Sequence, residues 1–66
     1  MFILKLLREQ RGITLRQLSE EMGVSWQAVQ QWESGETLPR VEHLQALAKF
    51  FSVSMEELLG KKNSPI

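Results

Sequence analysis

The sequence contains no cysteine and no tyrosine, and it has one histidine and two prolines in 66 residues. Without cysteine, no disulfide or thiolate metal site can staple so short a chain. A domain of this length buries only about 60% of the surface that its unfolded chain exposes, so its margin of stability is thin. β-Branched residues never cluster into a strand-like run, while Leu, Gln and Glu are abundant. That balance predicts an all-α domain. Long hydrophobic runs are missing too. Met1-Phe2-Ile3-Leu4 is apolar, but Lys5, Arg8 and Glu9 interrupt it. The run is too short for a signal-peptide core and far too short to span a membrane, so a soluble, cytoplasmic protein is expected.

Neither sign of charge is in excess: eight basic side chains face eight acidic ones. Phosphate attraction usually shows as a basic surplus, so the total argues mildly against a nucleic-acid partner. The distribution argues the other way, since Lys5, Arg8, Arg11, Arg16 and Arg40 lie in the first forty residues and Glu42, Glu56 and Glu57 lie later. The chemistry of an enzyme is equally scarce. There is no cysteine, no carboxylate pair suited to a pocket and no phosphate-cradling glycine loop, so catalysis is not expected. His43 stands without a second ligand at metal-binding spacing, so neither a metal nor a cofactor is expected.

Five helices can be placed from periodicity and end signals. Residues 2–10 carry Ile3, Leu4 and Leu7 on one face, and Gly12 ends this helix. Leu6 falls beside the apolar stripe and can be core or exposed. Thr14 caps a second helix, Gln17 completes a capping box, and Ile13 can staple onto Leu18. Leu18, Ser19 and Met22 form its inner face, and Gly23 stops it. Ser25 caps a third helix that runs to about Ser34, with Gly35 as the exit. Pro39 breaks the following loop, and Val41, Leu44, Leu47, Ala48 and Phe51 give a fourth helix its stripe, with Phe50 off it. Ser54 and Glu57 box a short fifth helix ending at Gly60. One domain over residues 1–60 and a polar tail or linker over 61–66 complete the layout.

The stretch from Ser25 to Gly35 stands out. Val29 and Trp32 can face inward together, which leaves Trp26, Gln27, Gln30 and Gln31 outside. Amide side chains both donate and accept hydrogen bonds, as reading base edges requires. The second and third helices are joined by so few residues that they must cross steeply. Gly23 supplies the positive φ and Ser19 the small residue at the crossing, which is the requirement of a helix-turn-helix unit.

From about Leu4 to Leu59 the order of residue types resembles the Xre family of helix-turn-helix domains, the phage repressor and Cro type. The most specific pieces are Leu7-Arg8, Thr14 to Leu18, Gly23-Val24-Ser25, Val29 to Glu36, Leu38-Pro39, and Val53-Ser54 to Leu58. The stretch from Gly23 to Pro39 is most similar to lambdoid phage repressors. The resemblance implies a compact five-helix, lambda-repressor-like domain whose third helix enters the major groove of double-stranded DNA. It implies a bacterial or prophage transcriptional regulator, a repressor, acting on a palindromic operator as a homodimer.

By position, the resemblance puts Trp26, Gln27 and Gln31 at the bases, with Gln30 beside them. It puts Thr14, Leu15, Arg16, Ser25 and Arg40 along the DNA backbone, together with N–H groups of the loop from Ser34 to Arg40. Arg8 and Glu33 match an ion pair that ties the first helix to the third. Leu15 and Trp26 depart from the family pattern. A leucine cannot make the hydrogen bond of the glutamine common at its position but can touch a thymine methyl. Trp26 can pack on a methyl, a sugar edge or a protein surface.

Plainer readings stand beside these. The three glutamines can be helix formers on a solvated face, and Lys5, Arg11, Lys61 and Lys62 can be solvated charges. Met55, Leu58 and Leu59, with Ile66, can close the core around the fifth helix or form the dimer interface. A second functional reading is a protein-interaction module on the same fold, such as the antitoxin half of a toxin–antitoxin pair.

Overall fold

The computed structural model describes residues 2–60, so the expectation of a tail over 61–66 lies outside the described residues. Five helices follow in order: α1 (Phe2–Gln10), α2 (Leu15–Met22), α3 (Trp26–Ser34), α4 (Val41–Phe51) and α5 (Met55–Leu58). No strand interrupts them among the described residues. None of these helices is long and apolar enough to cross a membrane.

The helix ends are set by local chemistry. The first amides of a helix have no acceptor within it. At α2 the Thr14 hydroxyl accepts from the Gln17 N–H at 3.0 Å, and the Gln17 side chain accepts from the Thr14 N–H at 2.8 Å. Ser54 and Glu57 repeat this box at α5 with 3.0 and 2.9 Å. Ser25 caps α3 more simply, accepting from the Ala28 N–H at 3.2 Å. At the far end of α2, Gly23 takes φ 72° and turns its own N–H back to the helix. That left-handed conformation lets the chain start α3 only three residues after α2 ends.

Each helix sends one fully buried side chain into a common core: Leu4, Leu18, Val29, Leu47 and Leu58. Trp32, Ala48 and Phe51 fill the space around them. At roughly 1.5–3 kcal/mol for each large apolar side chain removed from water, this cluster is the main force holding five short helices together. Ser19 is the buried polar residue at the α2–α3 crossing, and its hydroxyl is satisfied by donating to the Arg16 carbonyl at 2.7 Å.

Leu6, beside the first apolar stripe, and Val41, on the stripe of the fourth helix, both lie outside this core. Leu6 is exposed, which resolves its placement. Val41 was expected inside but is 60% exposed beside Leu38 at 68%. The cause is how α4 packs: Leu47, Ala48 and Phe51, its buried residues, all fall in its second half. Its first turn leaves Val41 outside, while His43 in the same turn is half-buried with its ring 5.3 Å from that of Trp32. Phe50, off the stripe, is half-buried for a different reason. The Arg11 guanidinium lies 5.2 Å over its ring and 5.3 Å over that of Phe51, and it donates to the Phe50 carbonyl at 2.9 Å. Arg11, although exposed, thus ties the end of α1 to the end of α4.

Candidate nucleic-acid interface

The turn from Gly23 to Ser25 fixes α3 across α2, and α1 packs against α3 from the other side. Successive helical residues are rotated by about 100°, so burying Val29 and Trp32 determines what the rest of α3 presents. Gln27, Gln31 and Ser34 point away from the core, and all three are exposed. Gln27 and Gln31 are four apart and therefore share a face. Trp26, Gln30 and Glu33 lie along the flank that adjoins α1 and the start of α2.

On that flank the structure brings Arg8 and Glu33 together. Arg8 Nε donates to Glu33 Oε2 at 2.6 Å and Nη2 donates to Oε1 at 3.3 Å. Nη1 donates to the Ile13 carbonyl at 3.0 Å, so the guanidinium holds both α3 and the turn into α2. Both side chains are nearly covered, at 12% and 7% exposed. The hydrogen bond to Glu33 raises the Arg8 pKa; burial opposes it, and the charges of Glu33 and Glu9 reinforce it. A guanidinium committed in this way is not available to a phosphate.

The backbone-contact candidates gather at the helix starts. Thr14 and Ser25 each use a lone pair for capping, which leaves the hydroxyl hydrogen free to donate. The Leu15 and Arg16 amides open α2 and have no acceptor within it. Arg16 and Arg40 are exposed, and Arg40 occupies the N-cap position just before α4 without capping it through its side chain. The loop amides behave differently from expectation. The N–H groups of Gly35, Glu36 and Thr37 all turn back onto the Gln31 carbonyl, at 3.0, 3.0 and 3.4 Å. The open C-terminal carbonyls of α3 require donors, and these amides supply them, so they do not point outward.

Two grooves border the α3 flank. An open one of about 640 Å³ is lined by Arg8, Gly12, Ile13, Thr14, Leu15, Arg16 and Trp26. A smaller one of about 290 Å³ holds Gln30 beside Lys5, Leu15 and the Arg8–Glu33 pair. Lys5 is exposed at this groove, in keeping with a solvated charge. The signal for its placement was its spacing three residues before Arg8, which sets both on one face of α1. Of the three residues expected at a dimer interface, Leu58 has no exposed surface and belongs to the core. Met55 is half-buried against that core, and Leu59 remains 40% exposed.

The helix-turn-helix family model matches residues 4–58, which takes in all five helices. The chain belongs to this family, in its Xre-type branch. It is 45% identical over 57 residues to the HTH-type transcriptional activator BcrR of Enterococcus faecalis, covering 86% of this chain and 28% of that protein. It is 38% identical over 48 residues to the cryptic phage CTXphi transcriptional repressor RstR of Vibrio cholerae, covering 73% of this chain and 43% of that protein. The chain thus spans less than half the length of either relative. No solved structure gives a significant match.

Proposed function

We propose that this domain binds specific double-stranded DNA sequences as a transcriptional regulator, with α3 in the major groove. It is a binding module and not an enzyme. The observation that carries the reading is the facing of α3: Val29 and Trp32 are locked into the core while Gln27 and Gln31 share one exposed face. Those two glutamines read base edges, and Gln30 sits beside them toward α1. Thr14, Arg16, Ser25 and Arg40 hold phosphates on either side, which fixes the register of α3.

The two named relatives carry opposite signs, one an activator and one a repressor. Repression is the output we propose here, because a protein lodged in the groove blocks that site for others without needing a further surface. The domain acts as a homodimer on a palindromic operator, with recognition helices about 34 Å apart, one turn of DNA. Exposed Leu59 and half-buried Met55, at the two ends of α5, supply the apolar contact.

Selection of bound sequences from a random DNA pool tests this reading. A recovered palindrome whose half-sites lie one helical turn apart supports both recognition and the dimer. Binding that enriches no sequence sinks the proposal.

A further inference from the structure

The residues that start α2 and α3 meet in one groove. Leu15 opens α2 and Trp26 opens α3, and both line the open groove together with Ile13 and the polar side chains of Thr14 and Arg16. Trp26 is an exposed large apolar side chain, at 37%, and Leu15 is half-buried against the core. The indole therefore presents apolar surface to solvent beside Leu15 in that groove. About 100° of helical rotation separates it from Gln27, so the two side chains address different places.

We infer that Leu15 and Trp26 form one apolar wall that selects a pyrimidine bearing a C5-methyl group at a position flanking the bases read by Gln27 and Gln31. In unmodified DNA that base is thymine. The inference rests on the DNA-binding reading above and adds to it a specificity element made by two helices together. The major groove offers acceptors, amino donors and one apolar feature, the thymine methyl. Leucine has no polar atom, and the indole has a single N–H at one edge. A carbonyl or amino group pressed against this wall loses its water without gaining a partner, whereas a methyl loses nothing. The Thr14 hydroxyl and the Arg16 guanidinium stand at the same groove, where the neighbouring phosphate can be held.

The test uses the full chain and the site recovered by selection. Each thymine is replaced in turn by deoxyuridine, which removes the C5-methyl alone, and affinity is read by fluorescence anisotropy. One thymine per half-site is expected to weaken binding about fourfold when demethylated, the equivalent of about 0.8 kcal/mol for one buried methyl. In Trp26→Ala that ratio is expected to fall to about one. Leu15→Gln, at a half-exposed helix start, is expected to lower it likewise and keeps the test available if Trp26→Ala does not fold. The same thymine-to-deoxyuridine ratio in both variants overturns the inference, because the methyl is then read elsewhere. So does a site with no deoxyuridine-sensitive position, which would make the wall a sequence-neutral rest for sugar. Both of those outcomes leave specific binding through Gln27 and Gln31 standing. Failure to recover any sequence removes the DNA reading itself.

Discussion

Arg8 and Glu33, one on the first helix and one on the third, form a forked ion pair with a shorter bond of 2.6 Å, and the third helix presents its glutamines with that pair as its anchor. Breaking one side of so covered a pair leaves an unpaired charge. Glu33→Ala is expected to cost about 3 kcal/mol in urea unfolding, and replacing both partners by Arg8→Met with Glu33→Leu to recover most of it. The double variant then tests orientation separately from stability: it should fold well yet bind its selected DNA more weakly. Because the Arg8 pKa is raised in the fold, its contribution is present in full below its ordinary value and is lost only at the alkaline extreme. The stability attributable to Arg8 should therefore stay constant from about pH 5 to pH 9.

Arg11 makes a second long-range tie, to a carbonyl 39 residues away and to two aromatic rings. Arg11→Ala should lower stability by about 1 kcal/mol, given an exposed hydrogen bond and a cation–π contact at the surface. If Arg11 held a phosphate instead, the same variant would flatten the salt dependence of DNA binding. That slope is expected to be unchanged.

What could be foreseen from the residues divides along physical lines. Thr14 with Gln17 and Ser54 with Glu57 act on their own neighbours, so the ends of α2 and α5 were legible in the sequence. The same holds for Gly23 and Gly35, both left-handed at helix exits. Periodicity gave the inward face of α4 but not how far along it a partner extends, and Val41 was misplaced for that reason. Leu58 and Leu59 are adjacent and equally apolar; only the packing of α5 against α1 and α4 decides which is buried. The inward turn of the loop amides is a local consequence of the Gly35 exit, whereas the meeting of Leu15 with Trp26 in one groove depends on how helices cross, which no local pattern encodes.

Gln27 and Gln31 are exposed and touch none of the core, so replacing either by alanine should shift stability by less than about 0.5 kcal/mol. Against the selected operator each substitution is expected to cost about 1–3 kcal/mol, the range for losing a bidentate base contact. Each should also relax selection at one base position. Repeating the random-pool selection with both variants checks this. Two unchanged motifs would show that the glutamines are only helix formers.

Arg16→Ala and Arg40→Ala should act in another way. On the proposed reading each removes a cation placed to meet phosphate, so affinity should fall about equally for specific and unrelated DNA, and the slope of log affinity against log salt should drop by about one per cation lost. The net charge of zero predicts a shallow slope for the native chain to begin with. A titration at several salt concentrations separates this behaviour from that of the glutamine variants, which should keep the native slope.

The neighbours Leu58 and Leu59 allow the dimer to be tested apart from the fold. Leu58 is fully buried, so Leu58→Ala removes core volume and should cost about 2–5 kcal/mol, enough to unfold much of a domain this small. Leu59 is 40% exposed and ends the fifth helix, so Leu59→Glu should leave the monomer folded. If that surface joins two copies, two carboxylates then face one another across the symmetry axis. Sedimentation should show the variant as a monomer, and binding to the palindrome should weaken while binding to a single half-site does not. A Leu59→Glu protein that stays dimeric would move the interface elsewhere, with exposed Leu38 and Val41 the next surface to alter.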